Sequence, residues 1–376
     1  MGFGLWDLMK ILLVRLRLLG DVALSTPAIR ALRHRFPDAH LTYLVEPGAA
    51  PVVAGNPLLN EVIVAPKRSG LARASDDLAI ARRLRRSRFD VAIDLHGGPR
   101  AAWFTWASGA PMRIGYSIAG RSWMYTHVIE RWPDLTPPRH SVLNQADLLR
   151  PLGIDGCDPR REPMEMADDA GARERVQIRL SQAGVRPGDP VVVMHVSAGN
   201  EFRRWPALAA TAAALVRRHP HVRVFMIYGP LDAAAGGIIH EARAAAGAAS
   251  GRILDGACDL AELRALIARS AVYIGIDSGP VHVAATTDTP IVQLLGPTLP
   301  ERSRPWRDPR WFTEIVDVGA LPCRPCNQRR CAPGDFRCLT HITADQVVAA
   351  AERALQHFAG HTGPAVDHPA MTGSPG

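Results

Sequence analysis

The chain has 376 residues, 47% of them hydrophobic and 21% charged, and this globular composition excludes a disordered or fibrous protein. Its length allows two domains with apolar cores, and its formal net charge of +8 favours an anionic partner: nucleic acid, a phosphorylated substrate or an acidic membrane surface. The most apolar N-terminal segment, "ILLVRLRLL", contains Arg15 and Arg17 and is far shorter than the roughly 20 residues of a membrane-spanning helix. It also lacks the small-residue cleavage site of a signal peptide, so we expect a cytoplasmic protein.

Two segments of the chain share one pattern of apolar and polar residues. Residues 11–45 contain a strand "ILLVRL", a polar turn, a helix "PAIRALRHRF" and a strand "LTYLV". Residues 190–228 repeat this order with "VVVMHV", a long polar turn, "PALAATAAALVRRH" and "VRVFMIY". Short apolar runs that alternate with helical patterns indicate βαβ units and a parallel sheet. We therefore predict an α/β fold with two doubly wound, Rossmann-like domains.

The same pattern predicts how the chain is divided. An N-terminal domain covers 9–160, a linker in a region rich in Asp, Gly and Pro covers 161–188, and a C-terminal domain covers 189–357. The last segment, 358–376, contains Gly, Pro and His without periodicity and is expected to be a disordered tail. Ligands of doubly wound sheets bind beyond the carboxyl ends of the strands, so the turns after the strands are the candidate sites.

Two of these turns contain charged residues beside a predicted helix. The turn "RLRLLGDVALSTPA" has Gly20, which permits close approach to the backbone, and Asp21 at the start of a helix. Asp21 is either a first-turn acid that stabilises the helix or a carboxylate at the cleft that serves as a general base. The turn "HVSAGNEFRRWP" places Arg203 and Arg204 before a helix, where they either clamp a phosphate or form a solvated basic loop.

The stretch "YIGIDSGPVHVAATTDTPIVQLLGPT" ends a buried strand on Asp277-Ser278-Gly279-Pro280. Free N–H groups at the start of the following helix, the small Gly279 and the preformed first turn at Pro280 suit a phosphate or diphosphate. His282 lies in the first turn of that helix, either as a ligand contact or as a core histidine. No G-x-x-x-x-G-K-[ST] loop occurs, and no G-x-G-x-x-G follows the first strand, which disfavours P-loop NTPases and nicotinamide dehydrogenases.

Four of the six cysteines lie in the segment "CRPCNQRRCAPGDFRC". They are Cys323, Cys326, Cys331 and Cys338. The spacing C-x2-C-x4-C-x6-C predicts a knuckle that wraps one structural metal ion, zinc ahead of iron, with reduced thiols or a labile disulfide as the alternatives.

Taken together, "RLRLLGDVALSTPAIRAL", "DLHGGPR" with "RIGY", "HVSAGNEFRRWP" and "GIDSGPVHVAA…LLGPT" resemble glycosyltransferase family 9, the ADP-heptose-dependent heptosyltransferases of lipopolysaccharide synthesis. The resemblance runs in order from about residue 10 to 350. It implies the GT-B architecture, in which two Rossmann-like domains face a central cleft. It also implies an inverting transfer of heptose from ADP-heptose to a lipopolysaccharide core or related glycan, with no cofactor for catalysis.

The resemblance assigns roles to single residues. Asp21 matches the family's acid in the G-D turn, the general base on the acceptor hydroxyl. Arg203 stands where the family usually has a lysine that contacts the donor diphosphate, and an arginine keeps the charge but offers a planar fork. The full set of donor-side candidates is Arg203, Arg204, Asp277, Ser278, Gly279, Pro280, His282, Gly296 and Thr298.

Candidates on the acceptor side are fewer. They are Gly20, His96, Arg100 and Arg113. The run "ARRLRRSR" at 81–88 contains five arginines that contact a phosphorylated sugar core or the inner face of the cytoplasmic membrane, or else form a solvated helix face. Trp103, Trp106 and Trp123 are expected in an aromatic core rather than against a glycolipid.

Other functions remain as alternatives. A nucleic-acid-binding protein with a four-cysteine finger would explain the charge and the cysteines, but it leaves the two βαβ halves and the three turns unexplained, so we expect no nucleic acid. Within the transferases, another nucleotide sugar or a protein acceptor is the alternative. A non-catalytic nucleotide-sugar-binding subunit is a further alternative, although the presence of Asp21 speaks against it.

Overall fold

The computed structural model of this protein describes residues 9–132, 137–198, 203–229, 232–326, 328 and 330–361. These residues form two six-stranded sheets in which every neighbouring pair of strands is parallel. Helices cover both faces of each sheet. The predicted fold class, two doubly wound Rossmann-like domains, is therefore confirmed.

The first sheet has the strand order β3-β2-β1-β4-β5-β6. The elements of this half are β1 (Lys10–Val14), α1 (Leu19–Ala23), α2 (Thr26–Arg35), β2 (His40–Val45), α3 (Ala50–Val53), β3 (Glu61–Val64), α4 (Gly70–Ser87), β4 (Val91–Asp94), α5 (Pro99–Ala107), β5 (Met112–Tyr116), β6 (His127–Ile129) and α6 (Ser141–Ala146), with short 3₁₀ helices at Ser122–Met124 and Asp147–Leu152.

The second sheet has the strand order β12-β11-β10-β7-β8-β9. Its elements are α7 (Ala170–Gln182), β7 (Val191–His195), α8 (Leu208–Arg218), β8 (Arg223–Tyr228), α9 (Ala235–Ala246), β9 (Ile253–Ala257), α10 (Leu260–Arg269), β10 (Val272–Ile276), α11 (Gly279–Ala284), β11 (Ile291–Leu294), α12 (Pro300–Ser303), β12 (Thr313–Val316), α13 (Arg337–Thr340) and α14 (Ala344–His361), with a 3₁₀ helix at Gly247–Arg252.

The central strands are apolar without alternation because helices pack on both of their faces. In β1, Ile11 and Leu13 join the core on one face, whereas Leu12 and Val14 join the core under α4 and α5 on the other. Strand β7 divides in the same way, with alternate residues in the two cores of its own sheet. This packing fixes the register of both sheets, since a shift by one residue would exchange the two faces.

The two domains meet where α1 and α11 pack together. A Cβ atom at Gly20 would lie 3.0 Å from His282 Cδ2 and 3.4 Å from the Gly279 backbone. A Cβ atom at Gly279 would lie 2.5 Å from a side-chain carbon of Leu19. Both glycines therefore allow an approach of the two backbones that a larger residue would prevent.

The predicted linker and tail contain regular structure. Helix α7 lies within 161–188, packs against α10 and pairs Arg175 Nε with Glu262 Oε1 at 2.8 Å. The tail was predicted from residue 358, but α14 continues to His361. The reason for this correction is that Phe358 continues the apolar face of α14 and packs against the core of the second sheet. Residues 362–376 lie outside the described part of the chain.

None of the helices in the described ranges combines the length and the apolarity that crossing a bilayer requires.

Candidate active site

A cavity of about 530 Å³ lies between the two domains, at the carboxyl ends of the central strands. The N-terminal domain contributes the turn after β1, and the C-terminal domain contributes the turns after β10 and β11. The lining residues are Leu18, Gly20, Asp21, Leu24, Ser141, Arg203, Asp277, Ser278, Gly279, His282, Pro297, Thr298, Arg302, Ser303, Pro325, Cys326 and Gln328.

Asp21 lies in the first turn of α1 and also faces this cavity. Its Oδ2 accepts a 3.4 Å hydrogen bond from the Leu18 N–H and lies 2.8 Å from Nη2 of Arg15. The side chain is 42% exposed, so solvent and ligands can still reach it. The two interpretations of the sequence therefore coexist, because the carboxylate stabilises the helix start and remains accessible at the cleft.

His282 lies opposite the Gly20 turn and is buried. Burial lowers the pKa of its imidazole, and the nearby carboxylates of Asp277 and Asp21 only partly counteract this. Among the described residues its Nδ1 has no hydrogen-bond partner. His282 lines the cavity, and a neutral imidazole can donate or accept a hydrogen bond with a polar ligand.

Arg203 is held over the turn after β10 by two hydrogen bonds. Its Nη1 donates to the carbonyl oxygen of Asp277 at 2.7 Å, and its Nε donates to Oε1 of Gln328 at 2.7 Å. The Asp277 carboxylate lies 3.9 Å from Nη1 and accepts a hydrogen bond from Ser303 Oγ. Asp277 therefore orients Arg203, and its carboxylate is engaged by protein groups.

Ser278 is the N-cap residue of α11, and Gly279 is the first residue of that helix. The first N–H groups of a helix have no acceptor within the helix. The Ser278 hydroxyl lies 3.5 Å from Nδ1 of His195, the last residue of β7. Burial lowers the pKa of His195 to about 4, so a neutral ring supports the serine from behind. Sequence reasoning missed His195, although a histidine at the end of a buried strand, just before a polar loop, indicates a residue near the ligand site.

The segment that contains the cysteines forms another wall of the cavity. Arg324 Nη2 donates to the Thr298 carbonyl at 2.7 Å, and the Cys326 N–H donates to the Pro297 carbonyl at 3.3 Å. Gln328, which accepts the bond from Arg203, lies 3.4 Å from the Thr298 hydroxyl through its Nε2. Sequence reasoning also missed Gln328, because nothing in its neighbourhood indicates that the fold brings it to Arg203.

Three predicted donor contacts lie outside this cavity. Arg204 turns to Asp232, with Nη2 3.3 Å from Oδ1. Gly296 is buried against Leu339, where a Cβ atom would lie 2.6 Å from the leucine side chain. Pro280 occupies the first turn of α11 without lining the cavity. Their role as donor contacts stays a prediction.

Arg100 and Arg113 are bonded to protein groups. Arg100 donates from Nε to Asp77 at 3.0 Å and from Nη1 to Glu46 at 2.7 Å, so two acids neutralise it. Arg113 donates to the carbonyls of Ala110 and Met124 near the start of β5, at the end of the sheet away from the cleft. Its role on the acceptor side stays a prediction.

His96 belongs to a turn that Asp94 organises. The buried Asp94 carboxylate accepts 2.8 Å bonds from the N–H groups of His96 and Gly97 and a 2.6 Å bond from the Tyr125 hydroxyl. Burial lowers the pKa of His96 to about 4, and the charges of neighbouring arginines act in the same direction. The ring lies in a second cavity of about 340 Å³ next to the cleft, whose basic lining residues are Arg17, Lys67, Arg68, Arg73 and Arg100.

The four clustered cysteines line one small cavity of about 50 Å³, and all are free thiols. Burial raises the pKa of Cys338 to about 11, and the other three thiols add to this shift because they are close. Nevertheless, across the described ranges no three Cys, His, Asp or Glu side chains are arranged to hold a metal ion. The thiols thus converge without closing to a coordination geometry.

Comparisons with known proteins agree with the fold. The chain is 26% identical over 349 residues to lipopolysaccharide heptosyltransferase 3 of Escherichia coli, covering 90% of this chain and 97% of that protein. Among solved structures, a family 9 glycosyltransferase from Veillonella parvula aligns with a TM-score of 0.77 at 23% identity, covering 93% of this chain and 97% of that one.

A second solved structure, E. coli ADP-heptose lps heptosyltransferase II, aligns with a TM-score of 0.71 at 21% identity, covering 93% and 99% of the two chains. These structures support the GT-B fold. The family model for glycosyltransferase family 9 (heptosyltransferase) matches residues 78–335, which is more than half of the chain. The chain therefore belongs to glycosyltransferase family 9 and is a glycosyltransferase.

Proposed function

We propose that this enzyme transfers heptose from ADP-heptose to a hydroxyl of a lipopolysaccharide core or a related glycan, with inversion at the anomeric carbon and without a catalytic metal. The observation that carries the proposal is a single cleft that joins the exposed Asp21 carboxylate to Arg203, Ser278, Gly279 and His282. The names of the relatives, which are heptosyltransferases of lipopolysaccharide, support the choice of donor and acceptor.

The C-terminal wall binds the donor diphosphate. The planar guanidinium of Arg203 forms charge-assisted bonds with the phosphate oxygens, and the Ser278–Gly279 turn offers backbone N–H groups at the start of α11. Negative charge grows on the diphosphate as the bond to the sugar breaks, and donors that are already oriented stabilise that charge. His282 contacts the donor from the edge of the cleft.

The N-terminal wall activates the acceptor. Asp21 removes the proton of the attacking hydroxyl, and Arg15 keeps the carboxylate in place from 2.8 Å. The other lining carboxylate, Asp277, accepts bonds from Ser303 and lies against Arg203, so it is not available as a second catalytic acid. One base and a direct attack from the opposite side give inversion at the anomeric carbon.

The acceptor lies beside the basic cavity next to Asp21. Arg17, Lys67, Arg68 and Arg73 line this cavity together with the neutral ring of His96. An acceptor with phosphate or carboxylate groups complements this lining. Arg100 supports the cavity wall through Asp77 and Glu46 rather than by contacting the acceptor.

The four cysteines hold one structural metal ion, zinc ahead of iron, in this proposal. The convergence of four free thiols on one cavity and their spacing support it. A bound ion would supply no chemistry to the reaction but would fix the segment that includes Gln328. Metal analysis of the purified protein with a thiol count tests this: about one ion per chain is expected, and four reactive thiols without metal would refute it.

The same proposal includes a linker at 161–188 between the two domains. It also includes a cytoplasmic location and a peripheral contact with the inner face of the membrane. They place the cleft between a donor-binding C-terminal domain and an acceptor-binding N-terminal domain, close to a lipid-linked acceptor.

The test is a thermal-shift panel of ADP-, UDP-, GDP- and dTDP-linked sugars, followed by detection of the glycosylated product. We expect ADP-heptose to raise the melting temperature most and duplex DNA to have no effect. Stabilisation by a different nucleotide sugar would overturn the heptose assignment but keep the mechanism. A shift with a nucleotide sugar but no glycosylated product would favour the non-catalytic subunit, and the absence of any shift would refute nucleotide-sugar binding.

A further inference from the structure

An exposed aromatic pair lies on the N-terminal domain, far from the cleft. Trp106 at the end of α5 is 44% exposed, and Trp123 in the following 3₁₀ helix is 65% exposed. Their ring centroids lie 5.9 Å apart at an interplanar angle of 66°. The expectation that these tryptophans form an aromatic core is thus wrong for both. A pair of large aromatic side chains left in contact with solvent indicates an interaction surface.

Arginines border this pair. Arg85 and Arg86 lie three and four residues after Arg82 and share its face of α4, and all three are exposed. Among the described residues no ion pair involves any of the three, whereas their neighbour Arg83 lies 2.6 Å from Glu61.

Arg85 connects the arginines of α4 with the segment that contains Trp106. Arg85 lies against Gly109, where a Cβ atom would be 1.9 Å from its Nη1. The Gly109 N–H in turn donates to the Trp106 carbonyl at 3.1 Å. We call this surface, Arg82, Arg85, Arg86, Trp106 and Trp123, the aromatic-basic surface.

Exposed apolar side chains are concentrated in the same domain. In the described part of the chain, the exposed large hydrophobic residues are Leu18, Val64, Leu71, Leu78, Trp106, Trp123, Val128, Trp132 and Ile178. All but Ile178 precede residue 133, so the described residues of the C-terminal domain do not share this property.

We propose that the aromatic-basic surface docks the enzyme onto a bilayer that contains anionic lipid. Tryptophan rings favour the boundary between headgroups and acyl chains, and each arginine near an anionic surface adds to the attraction. A second copy of the chain fits less well, because a twofold contact through this surface would bring two sets of unpaired arginines together. The proposal names the surface for the membrane contact included in the proposed function, and it does not depend on the identity of the donor.

The position of the surface suits a lipid-linked acceptor. Helix α5 begins at Pro99, beside the basic cavity, and Trp106 lies in its last turn. A helix of nine residues is about 13 Å long, so the acceptor cavity stands roughly that far from the docked surface. A glycan that extends from its lipid can reach the cleft while the lipid stays in the bilayer.

The test is co-sedimentation of the full-length protein with phosphatidylcholine vesicles and with vesicles that also contain phosphatidylglycerol. We expect binding only to the second kind, with strong dependence on salt. Substituting Arg82, Arg85 and Arg86 by Gln should lower the partition coefficient about 100-fold. Replacing Trp106 and Trp123 by Ala should lower it about ten-fold.

Matched controls use residues outside the surface. Ile178→Ala removes another exposed apolar side chain. A triple variant with Gln at the exposed Arg160, Arg186 and Arg217 removes the same charge. Both control variants should bind vesicles like wild type. All variants should keep wild-type affinity for ADP, which shows that they fold.

Equal losses in the control triple variant, or equal binding to neutral vesicles, would overturn the proposal. A dimer that dissociates on the Trp substitutions, without vesicle binding, would assign the surface to self-association instead. A protein that binds vesicles but no nucleotide sugar would refute the proposed function alone.

Discussion

The two walls of the cleft differ in how their polar groups are held. On the C-terminal wall, Asp277, Ser303, Arg203 and Gln328 form a chain of hydrogen bonds, and the wall is packed behind by the buried His195. On the N-terminal wall, Asp21 contacts only Arg15 and one backbone N–H among the described residues and is 42% exposed. One wall is oriented before any ligand arrives, whereas the other presents a single accessible carboxylate.

This difference matches the chemistry required of each wall. A diphosphate that gains charge is stabilised best by donors that need no reorientation during the reaction. A general base needs access to a hydroxyl that arrives from outside, so complete burial would defeat it. The following changes test whether the two walls are separate in function, as they are in structure.

The largest expected effect is on turnover when the base is removed. Asp21→Asn keeps the shape of the side chain but cannot accept the proton, and we expect kcat to fall about 10³-fold. Release of ADP in the presence of acceptor measures it. Asp90→Asn, an exposed acid before β4, is the matched control and should leave kcat unchanged. Wild-type turnover in Asp21→Asn would show that another group is the base.

The second effect concerns acid stability, because the C-terminal wall buries a neutral histidine. The pKa of His195 is lowered to about 4 by burial, whereas the unfolded chain titrates near 6.5. The unfolded state binds the proton first, so stability is full above about pH 6.5 and is lost as the pH falls towards 4. The loss is about 3 kcal/mol for this residue.

Urea unfolding at pH 7 and pH 4.5 measures this loss. In His195→Gln the difference in free energy of unfolding between the two pH values should shrink, and in the exposed control His127→Gln it should match wild type. An unchanged difference in His195→Gln would mean that folding does not lower the pKa of His195.

The third effect is on donor affinity. Arg203→Ala removes the charge-assisted contacts with the diphosphate, and we expect ADP to bind about 10- to 100-fold more weakly. Arg203→Lys should recover part of the loss, because it keeps the charge without the planar fork. The control Arg218→Ala, an exposed arginine paired with Asp345, should bind ADP like wild type. Calorimetry gives each dissociation constant, and wild-type affinity in Arg203→Ala would refute its role.

The smallest effect tests the cysteine segment as part of the donor wall. Gln328→Ala removes the 2.7 Å bond that holds Arg203, and we expect ADP affinity to fall about 2- to 10-fold with kcat little changed. Gln328→Glu keeps an acceptor for this bond but adds a negative charge beside the diphosphate site, so it should not restore wild-type affinity. If the double variant Gln328→Ala with Arg203→Ala loses as much as the sum of both, Gln328 does not act through Arg203.

Much of the fold and part of the cleft could be predicted from the sequence. Uninterrupted apolar runs identify the central strands, because a parallel sheet buries both faces. The rule that ligands bind at the carboxyl ends of such strands places Asp21, Ser278 and Gly279 at one cavity, where the structure has them. Their chemical roles remain predictions.

What could not be predicted depends on contacts between distant segments. The sequence predicts Arg100 as an acceptor contact, but it does not show that Asp77 and Glu46 form ion pairs with its guanidinium. Gln328 reaches Arg203 across more than a hundred residues of chain. Local sequence specifies which groups are polar, but the fold decides whether each polar group meets a protein partner or remains free for a ligand.

The most direct test of the divided cleft is the affinity of Asp21→Asn for ADP, measured by calorimetry beside wild type. If the N-terminal wall serves only the acceptor, the dissociation constant should stay within about two-fold of wild type, since no donor contact is lost. A loss of ADP affinity as large as that expected for Arg203→Ala would mean that Asp21 helps to bind the donor. It would contradict the assignment of the donor to one wall and the acceptor to the other.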